Sequence, residues 1–218
     1  METTTILQID VYADVVCPWC WIGETRLAKA LAERPAIAIE RRWRPFQLDP
    51  DMPRGGKPWS DVIRGKFGGE ERAKEIFART ASVGALEGLD LRFDRITRAV
   101  NTADAHRLIL LARHREREWA MAESLFRAHF TDGKDLNDHE VLIALAMGEG
   151  IPETEARSLL AGRELADEVE ASQHQAQELG IGGVPFFVID GRFAISGAQP
   201  AELFVRALDM ASARERSD

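Results

Sequence analysis

Apolar residues near the start of the chain follow a strand-like pattern and then change to helical spacing. The segment ILQIDVYAD at residues 6–14 is apolar on both faces and carries Ile, Val and Tyr, which predicts a buried strand. Apolar residues then recur at helical spacing between residues 22 and 31, until Pro35 ends the pattern. Residues 36–46, AIAIERRWRPF, alternate again and predict a half-buried strand. Two strands joined by a helix are expected to pair in parallel.

A long stretch with helical periodicity separates these elements from the next strands. Residues 58–178 form a succession of amphipathic segments, and His129 lies in one of their apolar stripes. We interpret His129 as a residue at the edge of the core rather than as a ligand. Strand character returns at residues 184–190 and 192–197, and the Asp-Gly dipeptide between them predicts a tight hairpin. A last helix is predicted to begin with Pro200 at its first position.

The order of these elements predicts the fold class. We expect an α/β fold of the order β-α-β and then β-β-α, with a large all-helical insertion between the two parts. Residues 1–57 and 179–218 would form one discontinuous domain, and residues 58–178 would form the insertion. The length of 218 residues is compatible with this arrangement.

The composition limits the kinds of partner. The chain is 45% hydrophobic and 29% charged, with a net charge of −8 and a pI near 5.3. Nucleic acids and anionic membranes need a basic face, so we expect neither as a partner. No segment has the apolar length of a membrane span, and the first residues lack the features of a signal peptide. We therefore expect a cytoplasmic protein.

The chain has only two cysteines, and both lie in the segment DVVCPWCWIG. A disulfide between Cys17 and Cys20 closes a very small loop, so it adds little stability by restricting the unfolded chain. A structural zinc or iron–sulfur site needs about four ligands. The sequence has no third cysteine, and its five histidines show no ligand spacing, so no metal is expected. In a reducing compartment, the pair is more typical of redox chemistry.

The predicted elements suggest different roles for the two thiols. Cys17 follows the first strand at the start of a helix, where free N–H groups and the helix dipole favour a thiolate. Pro18 suits the first helical position because the missing N–H would have had no partner there. Cys20 lies one turn further along and should be less exposed. Cys17 would therefore attack a disulfide, and Cys20 would resolve the mixed disulfide.

Neighbouring residues suggest how a substrate would be held. Trp19 carries no charge to stabilise a thiolate, so we expect a moderate oxidant. Trp19 and Trp21 together would give the site a broad apolar rim. Pro185 lies at the start of a predicted strand, which suits a residue that cannot donate a ladder hydrogen bond.

Four motifs resemble those of a known family. They are VCPWCWIG (16–23), RPFQLDP (44–50), NTADAHRL (101–108) and GGVPFFVIDGRFAISGAQP (182–200). Together they resemble the DsbA-like branch of the thioredoxin superfamily, and within it the FrnE-like subfamily. The resemblance implies a thioredoxin-like fold and redox-active cysteines with no bound cofactor.

The resemblance also assigns roles to particular residues. It implies a cis bond between Val184 and Pro185 that faces the two cysteines. The backbone of Val184 would pair with an extended substrate segment while Cys17 exchanges with it. Asn101 and His106 would line the cleft, and glutathione is the candidate electron partner.

The same branch includes 2-hydroxychromene-2-carboxylate isomerases and kappa-class glutathione transferases. Those relatives usually have serine at the position of Cys17 and GSDR near the last helix, where this chain has GAQP (197–200). Both departures favour redox chemistry. Three functions stay open: a thiol–disulfide oxidoreductase or isomerase, a glutathione-dependent enzyme for a small aromatic or polyketide-like substrate, and a non-catalytic protein-binding module. The partners would be disulfide-containing proteins or glutathione, and the protein would be a monomer or a homodimer.

Overall fold

The structure is a computed structural model that describes residues 6–215, with side chains up to residue 213. Its strands are β1 (Leu7–Ala13), β2 (Ile39–Pro45), β3 (Lys57–Pro58), β4 (Arg98–Ala99), β5 (Phe186–Ile189) and β6 (Phe193–Ser196). Its helices are α1 (Pro18–Ala32), α2 (Trp59–Lys66), α3 (Glu70–Leu86), α4 (Ala103–Arg113), α5 (Glu118–Phe126), α6 (His139–Gly148), α7 (Glu153–Ala161), α8 (Ala166–Glu178) and α9 (Ala201–Glu215). A 3-10 helix spans Phe93–Arg95, and a π-helix spans Arg127–Thr131.

Four strands form the main sheet in the order β2-β1-β5-β6. As the sequence predicts, β1 and β2 are parallel, while β5 runs antiparallel to β1 and β6 antiparallel to β5. Strand β1 is central, and Leu7, Ile9 and Val11 are at most 1% exposed because both faces of the sheet are covered. This central position brings the end of β1 close to the start of β5.

The predicted α/β fold with a helical insertion is confirmed, with two differences inside the insertion. Strand β4 lies within it and pairs with β3 at its boundary. The first amphipathic stretch of the insertion is divided into α2 and α3, because Gly68 and Gly69 have φ angles of +75° and +106°. The proposed boundaries of the discontinuous domain and the insertion stay a prediction.

Helix α1 approaches the start of β5 closely because residue 23 is glycine. A Cβ atom on Gly23 would lie 3.0 Å from Cγ of Pro185 and 3.2 Å from Cζ of Phe187. Such contacts are shorter than ordinary van der Waals separations, so a side chain here would push α1 away. The glycine therefore helps to hold the two cysteines against the Pro185 loop.

An acidic side chain, Glu24, is half-buried on another face of α1, with 17% of its side chain exposed. Glu24 pairs with Arg41 of β2, and the guanidinium of Arg41 lies 4.4 Å from the ring centroid of Trp119. Burial raises the pKa of Glu24 to about 7, despite the opposing charge of Arg41, and Glu118 contributes to the rise. Glu24 therefore holds its proton well above the ordinary range of a glutamate.

Within residues 6–215, every helix is too short or too polar to cross a membrane.

Candidate active site

Cys17 is the N-cap residue of α1, directly after the turn that follows β1. Its backbone N–H donates to the carbonyl of Asp14 at 3.0 Å, and Pro18 begins the helix as the sequence predicts. The two cysteines are free thiols, with Cys17 5% exposed and Cys20 1% exposed. Cys20 is therefore less exposed than Cys17, as the sequence predicts.

The Pro185 loop faces Cys17. The Sγ atom of Cys17 lies 3.6 Å from the carbonyl oxygen of Val184, and its thiol donates to that oxygen. The Val184–Pro185 peptide bond is cis, and the carbonyl of Pro185 accepts from the N–H of Gly197 at 2.8 Å. The fold thus brings together Cys17 and Val184, which are 167 positions apart in the chain.

The sulfur of Cys17 differs from expectation in one respect. Among the described residues, no N–H of the first turn of α1 donates to it. A thiol carries its own hydrogen and needs an acceptor, which the Val184 carbonyl provides.

Cys20 is held as a thiol by its surroundings. Burial raises the pKa of Cys20 well above its ordinary value, and its hydrogen bond with Cys17 adds to the rise. A cysteine in this environment attacks slowly unless its target lies next to it. The neighbouring sulfur of Cys17 is such a target.

A cavity of about 270 Å³ opens beside Cys17. Its walls are mostly apolar, and five aromatic residues at or beside α2, α3, the 3-10 helix and the π-helix contribute to them: Trp59, Phe67, Phe77, Phe93 and Phe130. The rings of Phe77 and Phe93 stack with their centroids 4.6 Å apart. Trp19, Leu48 and Ile76 also line the cavity, and each is 37–39% exposed, so they form its rim. Helices α2 and α3 therefore lie over Cys17.

His129 of the π-helix also lines this cavity. Its side chain is buried as the sequence predicts, but it faces the cavity rather than only the edge of the core. Burial lowers the pKa of His129 to about 4, against the opposing charges of Asp14 and Asp135. The imidazole is therefore neutral near pH 7, with one nitrogen as donor and the other as acceptor.

The sequence reasoning missed Asp14, which is 1% exposed and lines the cavity next to Cys17. Its Oδ2 atom accepts from the N–H of Leu48 at 2.8 Å, and its Oδ1 atom lies 3.3 Å from Nε2 of His106. Trp43 donates to Nδ1 of His106 at 3.1 Å, so Nε2 carries the imidazole proton and faces the carboxylate. The feature of the sequence that could have indicated Asp14 is the position of this acidic residue directly after the apolar strand β1.

Three predicted substrate-binding residues lie elsewhere. Trp21 is 5% exposed and stacks on Phe126 with centroids 5.8 Å apart, because its position on α1 faces α5; it therefore takes no part in the rim. The side chain of Asn101 donates to the carbonyl of Met52 and accepts from the N–H of Ala103, which fixes the start of α4. His106 is fully buried behind Asp14. None of the three is among the residues that line the cavity.

His129 and Glu24 are expected to give opposite pH dependences of stability. The folded protein lowers the pKa of His129 from 6.5 to about 4, so its contribution to stability is present above pH 6.5 and is lost as the pH falls. The folded protein raises the pKa of Glu24 from 4.5 to about 7. The contribution of Glu24 to stability is therefore present below pH 4.5 and is lost as the pH rises. Each effect amounts to about 3 kcal/mol at most.

The two effects can be separated by single variants. With Glu24→Gln, the free energy of unfolding should fall more steeply than in the wild type as the pH decreases from 6.5 to 4.5. With His129→Leu, the free energy of unfolding should fall more steeply than in the wild type as the pH increases from 4.5 to 6.5. Urea unfolding at several pH values measures both. Curves that run parallel to that of the wild type would contradict the assigned pKa shifts.

The chain is similar to known proteins over most of its length. Residues 8–209 match the family model for the DSBA-like thioredoxin domain. A probable DsbA oxidoreductase from Streptomyces coelicolor has 37% identity and a TM-score of 0.84, over 95% of this chain and 90% of that one. The uncharacterized protein YwbO from Bacillus subtilis is 25% identical over 93% of this chain and 96% of its own.

A more distant structure shares only the fold. The cytosolic disulfide reductase DsbM from Pseudomonas aeruginosa, in a structure with GSH, has 20% identity and a TM-score of 0.60, over 96% of this chain and 98% of that one. The family match covers almost the whole chain, including both cysteines and the Pro185 loop. The chain belongs to the family of DsbA-like thioredoxin domains, and it is an enzyme of the thiol–disulfide oxidoreductase type.

Proposed function

We propose that the protein catalyses dithiol–disulfide exchange with Cys17 as the nucleophile and Cys20 as the resolving thiol. The observation that carries this proposal is the position of the Cys17 sulfur, at the start of α1 and 3.6 Å from the Val184 carbonyl. A sulfur at a helix start is favoured as a thiolate, and the thiolate is the form that attacks disulfides.

The reaction proceeds through two exchanges at sulfur. The Cys17 thiolate attacks one sulfur of a substrate disulfide, forms a mixed disulfide and releases the other sulfur as a thiolate. Cys20 then loses its proton and attacks the Cys17 sulfur, which releases the second substrate thiol and leaves a Cys17–Cys20 disulfide. Two electrons pass from the protein to the substrate, and an external thiol such as glutathione must restore the two protein thiols.

The surroundings of the cysteines suit this division of roles. The raised pKa of Cys20 keeps it protonated while Cys17 reacts, so the mixed disulfide forms before it is resolved. The backbone of Val184 lies beside the reacting sulfur, where it can hold an extended substrate segment. Trp19 on the cavity rim offers an apolar contact for the same substrate.

Three finer assignments accompany this proposal. We propose that the protein is FrnE-like, that it acts in the cytoplasm, and that glutathione is its electron partner. The structure of DsbM with GSH supports glutathione as the first thiol to test. Isomerase activity would follow from the same chemistry if the mixed disulfide is attacked by another thiol of the substrate before Cys20 reacts.

A turnover assay tests the proposal. Purified protein should accelerate the reduction of insulin disulfides, measured as precipitation of the free B chain, with glutathione or dithiothreitol as the electron donor. A rate equal to that of the donor alone would overturn the proposed function.

A further inference from the structure

Two uncharged polar side chains that line the cavity make no side-chain hydrogen bond to the described residues. They are Thr102 and His129, each 3% exposed and each lining the cavity. The hydroxyl of Thr102 does not cap α4, because Asn101 takes the N–H of Ala103 instead. Thr80, the other threonine of the lining, donates to the carbonyl of Ile76 at 2.9 Å. The side chains of Thr102 and His129 are therefore free to form hydrogen bonds with a bound molecule.

The size of the cavity limits what could occupy it. An apolar cavity of about 150 Å³ holds one benzene molecule, and the cavity beside Cys17 has a volume of about 270 Å³. Its space therefore corresponds to roughly two aromatic rings. A polypeptide backbone would bring N–H and C=O groups into walls that are mainly apolar, at a substantial desolvation cost.

The charges around the cavity favour an uncharged occupant. Asp14 is the buried acidic residue of the lining, and it would repel an anionic group. The lining residues Lys66 and Asp49 are exposed, so their charges lie near solvent rather than inside. A neutral hydroxyl or carbonyl group can pair with both Thr102 and His129 without placing a charge in the cavity.

We propose that the cavity binds the two-ring aromatic part of a low-molecular-weight disulfide, whose ring hydroxyl or carbonyl group hydrogen-bonds to His129 and Thr102. The inference rests on the proposed function, since Cys17 lines the cavity and would react with the sulfur attached to this group. It deepens that function by giving the substrate class.

The reaction of such a substrate balances without a further reagent in a single turnover. Cys17 attacks the sulfur that bears the aromatic group, and the partner thiol leaves. Cys20 then attacks the Cys17 sulfur and releases the aromatic thiol. The substrate disulfide is reduced to two thiols, and the protein dithiol is oxidised to the Cys17–Cys20 disulfide.

Three mixed disulfides of mercaptoethanol serve as probes: those of hydroxynaphthylmethyl, naphthylmethyl and butyl thiol. In each probe the sulfur is bonded to a CH₂ group, so the acidity of the thiol stays similar. Reduced protein is mixed with each probe, and the second-order rate constant is measured from the thiol released. We expect the hydroxynaphthylmethyl probe to react at least tenfold faster than the butyl probe.

Variants of residues that line the cavity test which contacts make the aromatic probes react faster than the butyl probe. Val62→Trp fills the cavity from α2, a helix with no buried residue, and should bring the naphthylmethyl-to-butyl ratio close to one. His129→Leu and Thr102→Val should each lower the ratio of hydroxynaphthylmethyl to naphthylmethyl by about three- to tenfold, the usual effect of a lost hydrogen bond. His174→Leu removes an exposed histidine elsewhere and should leave both ratios unchanged.

The outcomes separate the two proposals. Equal rate constants for all three probes in the wild type, or ratios that Val62→Trp does not alter, would overturn the substrate class and leave the exchange reaction intact. If Val62→Trp slows insulin reduction by the same factor as the naphthylmethyl probe, a protein side chain occupies the cavity, and the inference is wrong. If no probe reacts faster with the protein than with glutathione while insulin reduction is accelerated, the substrate class alone is wrong; if insulin reduction is not accelerated either, the proposed function itself fails.

Discussion

Cys17→Ser is expected to reduce the rate of disulfide exchange to that of the uncatalysed reaction. An alcohol is essentially never ionised at neutral pH and cannot replace a thiolate as a nucleophile towards sulfur. Serine is close in size, so the N-cap position of α1 and the fold should both be retained. The insulin assay, combined with a circular dichroism spectrum of the variant, measures activity and folding separately. Residual activity above background in the folded variant would remove Cys17 from the role of nucleophile.

Cys20→Ala is expected to stop the reaction at the mixed disulfide. Cys17 can still attack in this variant, but the thiol that releases the substrate is gone. An adduct should therefore accumulate, approaching one substrate molecule per chain. Mass spectrometry under non-reducing conditions should detect it, and dithiothreitol should remove it.

The double variant Cys17→Ser/Cys20→Ala is the matched control and should form no adduct. A different result would indicate the glutathione-dependent chemistry of a small molecule instead. If Cys20→Ala retains full turnover and the protein conjugates or isomerises a small molecule with glutathione, the assignment to dithiol–disulfide exchange is wrong.

The order of the elements could be predicted because each depends on local signals. The apolar run of β1, the alternation of β2 and the Asp-Gly turn before β6 each act over a few residues. The cysteine motif was recognisable for the same reason. Its placement against Val184 followed from the family resemblance, since no local pattern reports a contact between residues 167 positions apart.

The cavity could not be predicted, because its shape depends on how distant helices pack. The spacing of His129 in an apolar stripe predicts an α-helix, yet the structure has a π-helix there, in which Asp132 donates to the carbonyl of Arg127. A π-helical turn contains more residues than an α-helical turn, so the side chains after Phe126 point in other directions. Trp21 was assigned to the rim for a similar reason, because adjacency to Cys20 in sequence does not determine which helix it packs against.

The separation of Cys17 from Val184 has a consequence for the newly made chain on the ribosome. At about 5–20 residues per second, Cys17 is synthesised roughly 8–33 s before the residue that lies against it, 167 positions later. During this interval the sheet cannot place β5 beside β1, so neither thiol has its final surroundings. Because the chain contains only two cysteines, any disulfide formed within it at this time is the Cys17–Cys20 bridge of the finished protein. Premature oxidation therefore cannot lock a nascent molecule into a wrong internal pairing.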